Sequence, residues 1–121
     1  LNLAIYIQNS IQNLCAYLNI NTKLIMSSEI VKNNGLKGEN KIIDICLQLG
    51  ATQYVNAIGG FELYTKENFR VKNIDLKFIK SENIVYQQFK NEFIPWLSII
   101  DILMFNNVHD VKQILNQYEL I

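Results

Sequence analysis

The sequence predicts an α/β domain: a short, mainly parallel sheet flanked by helices, an open Rossmann-like half that ends in two helices. Three observations predict it. Apolar residues switch between the three-and-four spacing of helices and runs of strand length, in the order helix, strand, helix, strand, helix, strand. Such an order favours parallel pairing through right-handed crossovers. The 121 residues are half hydrophobic, enough for one compact domain with its own core. Two successive helix-start signals then close the chain.

The first helix rests on Leu3, Ile7, Ile11, Leu14, Cys15 and Leu18, which share one helical face. The polar stretch Asn19 to Thr22 ends it. Lys23-Leu24-Ile25-Met26 reads as a first strand that leads into the polar loop Ser27-Ser28-Glu29. After a loop over Lys32 to Gly38, a helix is expected over Glu39 to Leu49. Its predicted inner face is Ile42, Ile45, Cys46 and Leu49, with Glu39 in the first turn and Gly50 as a left-handed cap.

A second strand over Gln53 to Ile58 closes on Gly59-Gly60, a short helix covers Leu63 to Phe69, and the alternating run Ile74 to Ile79 is a third strand. Ser98 and Asp101, three residues apart after Pro95-Trp96-Leu97, form a capping-box pattern for a helix reaching Phe105. Asn107 and Asp110 repeat the signal for a last helix that carries Val111, Ile114, Leu115 and Tyr118 inward.

Composition excludes several classes of function. Eleven basic residues balance eleven acidic ones with no basic stripe, so nucleic acid is not an expected partner. Cys15 and Cys46 lie among apolar residues, outside any Cys-x-x-Cys pair, and read as core thiols. With the single His109 and no acidic cluster around it, no metal and no cofactor are expected on this chain alone. No apolar run approaches the roughly 20 residues that span a bilayer, and Leu1 to Ile7 lack the basic start of a signal peptide. A cytoplasmic protein without membrane insertion is expected. Because the chain opens on Leu1 inside a helical pattern, an upstream segment is expected too.

The pattern Gly50-Ala51-x-x-Tyr54, then Gly59-Gly60-x-x-x-Tyr64-x-x-x-x-Phe69, then Ile74-x-Leu76-x-Phe78 is followed by Tyr86-x-Gln88 and Phe93-x-Pro95-x-Leu97-Ser98-Ile99-Ile100-Asp101-x-Leu103. This order and spacing resembles the WbqC-like family, and Ser27-Ser28-Glu29 extends the likeness backward over nearly the whole chain. It departs at Asn106-Asn107-Val108, where the family usually has a glycine soon after the asparagine. The resemblance implies that residues 1–121 are the carboxy-terminal part of a longer protein. The missing amino-terminal half, carrying a His-Gln-Pro-type segment and an Asn/Arg-rich stretch, would then be a partner of this one.

The resemblance further implies a bacterial or archaeal protein of surface-polysaccharide (O-antigen) biosynthesis. Its implied activity is a transferase that moves an acyl or aminoacyl group from a donor to a nucleotide-linked amino sugar. The alternative is a noncatalytic module of that pathway, binding a nucleotide, a sugar or another protein. The lack of a Ser/His/Asp or Cys/His constellation suits this alternative, and the chain alone is not expected to hold a complete active site.

Candidate ligand-binding residues are Ser27, Ser28, Glu29, Gly59, Gly60, Tyr64 and Gln88. Loops leaving the carboxyl ends of parallel strands carry ligands, which would place Ser27-Ser28-Glu29 opposite Gly59-Gly60 on one rim. Glu29 is the candidate general base, although Ser-Ser-Glu equally suits a helix start. The glycine pair could admit a phosphate or sugar, or simply turn the chain. Tyr64 and Tyr86 suit a polar ring ligand or a core, and the Gln88 amide needs either a partner or solvent. Ser98 with Asp101 reads as a cap rather than a catalytic pair, and His109 as a surface imidazole.

Overall fold

The structure, a computed structural model, describes residues 2–90 and 92–121. Along the chain lie α1 (Leu3–Tyr17), α2 (Gly38–Gln48), β1 (Gln53–Ala57), α3 (Lys66–Arg70), β2 (Asp75–Ser81), α4 (Ile99–Phe105), α5 (Val108–Ile114) and β3 (Tyr118–Leu120). Short 3-10 turns occupy Ser27–Glu29 and Ile58–Leu63. The architecture is α/β with a small mixed sheet ordered β1-β2-β3. Two compact units divide the chain, one of Ile25–Ser81 with Tyr118–Ile121 and one of Leu1–Leu24 with Glu82–Gln117.

The sheet unit is built on helix period and strand alternation. Ile43 and Cys46 on α2, Phe69 on α3, and Ile74, Leu76 and Phe78 on and before β2 form its buried core. Tyr54, Tyr64, Ala51, Ile42 and Ile121 pack against that core. The Tyr54 and Phe69 rings stack at 5.7 Å between centroids, and Tyr64 meets both edge-on. Such geometry suits aromatic quadrupoles and adds to the area buried. The inner face of α2 centres on Ile43 and Cys46, with Leu49 half exposed. The helix thus turns slightly from the expected face of Ile42, Ile45, Cys46 and Leu49.

Gly50, at φ +63°, ends α2 as expected. Ala51 N–H donates to Cys46 C=O at 2.8 Å, and Gly50 N–H donates to Leu47 C=O at 3.1 Å. Together these two bonds make a Schellman cap. Asn19 and Asn73, also at positive φ, end α1 and α3 with the same bond pattern. Asparagine tolerates left-handed geometry better than other residues with a Cβ.

Three expectations need correction. The segment Lys23–Met26 is not a strand: it runs as irregular chain into the 3-10 turn, with Leu24 and Ile25 more than two-fifths exposed. Four residues that bury little and, among the described residues, join no strand ladder gain too little to offset the entropy of ordering. The Lys32 ammonium instead donates to the carbonyls of Ser27 and Ile30 and folds this stretch on itself.

Next, the sheet's third strand comes from the chain's end. The expected helix carrying Tyr118 stops at Ile114, and Tyr118–Leu120 pairs antiparallel with β2 in the register Ile79↔Leu120, Lys80↔Glu119 and Ser81↔Tyr118. An exposed Lys80–Glu119 ion pair at 2.9 Å accompanies this pairing. Only β1 and β2 are parallel, from Gln53↔Asp75 to Ala57↔Ile79, so the sheet is mixed rather than mainly parallel. Last, the helix expected over Leu63 to Phe69 is the five-residue α3, because Ile58–Leu63 is taken up by the 3-10 turn that holds the glycine pair.

The second unit has fewer buried side chains. No residue of α1 is buried; Leu3, Ile7 and Ile11 are exposed, and Leu18 at the helix end is 2% exposed. Asn2 caps α1 by accepting from Ala4 N–H at 3.0 Å. Ser98 Oγ accepts from Ile100 N–H at 3.2 Å and caps α4. Asn107 Oδ1 accepts from Asp110 N–H at 3.0 Å and starts α5, which buries Val111. At the departure from the family pattern, Asn106 is extended, and its side-chain amide donates to Ile102 C=O at 2.8 Å. The Asn106 backbone N–H donates to the same carbonyl at 3.0 Å, so side chain and backbone of one residue close the helix end together.

Candidate functional site

The expected rim begins with Ser27–Glu29. All three residues are exposed, and among the described residues their side chains make no hydrogen bond. A place on the rim requires a strand that ends at Ser27, and among the described residues no strand precedes it. Gly59 and Gly60 do leave the carboxyl end of β1. Gly59 is exposed with open space where a Cβ would stand. Gly60 is buried, and a Cβ there would meet Asn56 Nδ2 at 2.3 Å and the Tyr64 ring at 3.2 Å. A methyl at Gly60 would therefore have to displace the Asn56 amide, whereas Gly59 leaves room for one.

Tyr64 sits in the aromatic cluster of the sheet unit and is half buried. Burial, reinforced by nearby Tyr64 and Cys46, raises the Tyr54 phenol above its ordinary pKa. Desolvation does the same for the Cys46 thiol, consistent with an inert core cysteine.

Among the described residues, Gln88 is the one polar residue in the buried set, at 8% exposed. Its Nε2 lies 2.8 Å from Asp101 Oδ2, 3.1 Å from Ile94 C=O and 3.2 Å from the Tyr86 hydroxyl, and Oε1 accepts from Ile94 N–H at 2.8 Å. Tyr86 donates its hydroxyl proton to the same Asp101 oxygen. Desolvation first, then this bond to Asp101, raises the Tyr86 phenol. Of the two expected outcomes for the Gln88 amide, a partner or solvent, the fold supplies the partner: Gln88 ties Asp101 at the start of α4 to Tyr86 and Ile94.

Asp101 therefore has a role that its spacing from Ser98 conceals. Ser98 caps α4, but the Asp101 carboxylate turns away from the reciprocal half of a capping box and holds Tyr86 and Gln88 instead. A sequence signal existed, since Tyr86 and Gln88 needed one buried acceptor. The chain separation of thirteen to fifteen residues hid which one.

Beside this network lies a hollow of about 160 Å³ lined by residues that include Gln88, Phe89, Glu92, Leu97, Asp101 and Phe105. A wider one of about 430 Å³ lies against Gln87, Phe89, Met104 and Phe105. Phe89 and Phe105, edge-to-face at 4.7 Å, border both. Phe89 takes this position at φ +45°, a conformation that costs an aromatic residue on the order of 1–3 kcal/mol.

The sheet unit has a hollow of about 440 Å³ at the amino ends of β1 and β2, where Thr52, Lys66, Arg70, Asn73 and Asp75 meet. Arg70 is engaged there by Glu67 through paired contacts at 2.8 and 2.9 Å. Neither kind of hollow was foreseen from the sequence, because each is lined by segments far apart in the chain.

Chemically, the described residues offer hydrogen-bond acceptors, aromatic faces and a few exposed hydroxyls. His109 is exposed with Nε2 3.0 Å from the Gln113 amide, so it is not aligned with a serine or cysteine. Among the described residues no group of three or more His, Cys, Asp or Glu side chains could hold a metal ion. No helix among them is long and apolar enough to cross a membrane.

No curated protein and no solved structure matches this chain. Its sequence does match a family over residues 1–113, the stretch that includes the exposed Ser27–Glu29, the packed Gly60 and the whole Tyr86–Gln88–Asp101 network, and the chain belongs to that family, the WbqC-like protein family.

Proposed function

We propose that the protein works in surface-polysaccharide (O-antigen) biosynthesis, as part of a cytoplasmic transferase that places an acyl or aminoacyl group on a nucleotide-linked amino sugar. The observation that supports this reading is membership of the WbqC-like family across residues 1–113. The division of labour follows from the side chains. Ser27, Ser28 and Glu29 are exposed and uncommitted, so they are the groups able to accept ligand hydrogen bonds, with Glu29 as the weak candidate for a base. Gly59 can bring backbone close to a ligand, while Gly60 and Tyr64 shape the turn that carries it. Gln88 acts by positioning: its amide is fully engaged, and it presents Asp101 beside the hollow lined by Phe89 and Phe105.

Among the described residues no nucleophile and base pair is complete, so on this reading the reaction draws further groups from outside residues 1–121. The pairing of His109 with the Gln113 amide, not with a serine or cysteine, also suits the second reading, a noncatalytic nucleotide- or sugar-binding module. Thermal-shift titration of the protein with nucleotide-linked amino sugars and with acyl-carrier thioesters tests ligand class. A shift with the sugar nucleotide that Ser28→Ala and Glu29→Gln weaken, with folding unchanged, is the expected result. A shift that neither substitution alters would remove the rim from the proposal. No shift with any probe would remove the sugar-nucleotide reading. Product formation by the protein with both substrates distinguishes transferase from binding module.

A further inference from the structure

We infer that the smaller hollow beside Asp101 is a binding site for a primary ammonium group carried on a compact six-membered ring. The inference uses only side chains of the unit that holds α1, α4 and α5, so it stands apart from the polysaccharide reading. It begins with charge. Asp101 and Glu92 line the hollow, and no lysine or arginine among the described residues does. Neither carboxylate forms an ion pair among the described residues. The larger hollow that shares Phe89 and Phe105 has no charged side chain in its lining. Of the two, only the smaller carries charge, and a cation is its complement.

Asp101 is held ready for such a group. Its Oδ2 accepts from the Tyr86 hydroxyl and from Gln88 Nε2, which restrains the carboxylate. Among the described residues no donor reaches Oδ1, and no buried side-chain oxygen lacks a partner. Oδ1 is thus an accessible acceptor on a side chain that has already lost rotamer freedom. An ammonium that binds there forms a charge-assisted hydrogen bond without the usual cost of ordering the acceptor. Glu92, exposed at the same hollow, adds a second acceptor of the same sign. With no third metal-ligating side chain grouped with them among the described residues, the pair suits an organic cation better than a metal ion.

The rest of the lining defines what carries the ammonium. Phe89, Phe105, Ile94 and Leu97 give the hollow an apolar wall. Phenyl faces attract a cation as well as packing against apolar groups. The volume of about 160 Å³ sets the size, since a cavity of about 150 Å³ accommodates benzene. One six-membered ring with one ammonium therefore fills the space. A ringless ammonium would leave the apolar wall wet, and a long polyamine would not fit.

NMR titration of the protein with cyclohexylammonium chloride tests this, with cyclohexanol as the uncharged ring and methylammonium as the ringless charge. Saturable shifts are expected at Phe89, Asp101 and Phe105, at a cyclohexylammonium concentration about tenfold below that of either control. Asp101→Asn keeps a carbonyl oxygen for Tyr86 and Gln88 but removes the charge, and Glu92→Gln changes an exposed side chain. Each should weaken cyclohexylammonium binding about threefold or more and leave cyclohexanol unaffected. Phe89→Gly removes the ring at φ +45°, which glycine adopts without strain, and should weaken both ring compounds alike. Equal potency of cyclohexylammonium and cyclohexanol would overturn the inference. So would shifts centred elsewhere, indifference to both Asp101→Asn and Glu92→Gln, or no saturable shift. Cyclohexylammonium binding without any response to a sugar nucleotide would uphold this site and remove the polysaccharide reading.

Discussion

The sheet unit and the unit built from α1, α4 and α5 solve the same problem with different chemistry. In the first, Phe69, Ile74, Leu76 and Phe78 are almost completely buried around α2 and one face of the strands. In the second, the most connected buried group is an amide, Gln88, held by Tyr86, Asp101 and the Ile94 backbone. An apolar core tolerates exchange of shape for shape, whereas a buried polar network is satisfied only in one geometry. The difference marks the second unit as the place where the position of one carboxylate, that of Asp101, is tightly specified.

The sharpest way to break the comparison is to empty each centre. Phe69→Ala removes a fully buried ring and should lower unfolding free energy by about 3–5 kcal/mol, read by urea denaturation. Gln88→Ala should cost about 2 kcal/mol, because Ile94 N–H loses its acceptor and Asp101 a donor. If Gln88→Ala proves neutral, the network is not what fixes the segment 86–94.

A smaller effect is expected from Gly60→Ala, about 1–2 kcal/mol, since the new methyl must displace the Asn56 amide and the Tyr64 ring. Gly59→Ala, with open space at its Cβ, serves as the matched control and should leave the melting temperature nearly unchanged. Ser98→Ala should cost about 1 kcal/mol through loss of the α4 cap.

Alkaline titration sharpens the contrast between the units further. The folded-state pKa values of Cys46, Tyr54 and Tyr86 are raised, so the fold favours their protonated forms. Their stabilising contribution is fully present below the unfolded values, 9.0 for the thiol and 10.0 for the phenols, and is lost as pH rises through the folded ones. Denaturation midpoints should fall above about pH 9, and Tyr86→Phe should remove part of that slope. A flat midpoint through pH 11 would contradict the raised values of all three groups.

Elements with strong local signals were legible in the sequence. The spacing of Ile42, Ile45 and Cys46 with Gly50 behind them gave α2 to within a residue or two at each end, and Ser98 and Asn107 marked the starts of α4 and α5. The alternation of Ile74 to Ile79 gave β2. Lys23–Met26 misled because four apolar residues resemble a strand whether or not a neighbour exists to pair with them. Tyr118–Leu120 was missed for the converse reason, since three residues become a strand only when β2 presents a ladder.

At the candidate site, the sequence picked out Gln88 as needing a partner or solvent and the Gly59-Gly60 pair as a close backbone approach or a turn. It did not reveal that Asp101 answers Gln88 or that Asn56 and Tyr64 crowd Gly60. By itself, the sequence determined the α/β class, the helix caps and the family, because each depends on residues close together or in fixed order. The tertiary structure decided the mixed sheet and the orientation of the Asp101 carboxylate. Those depend on which distant donors and acceptors meet, and hydrogen bonds form according to distance in space rather than separation along the chain.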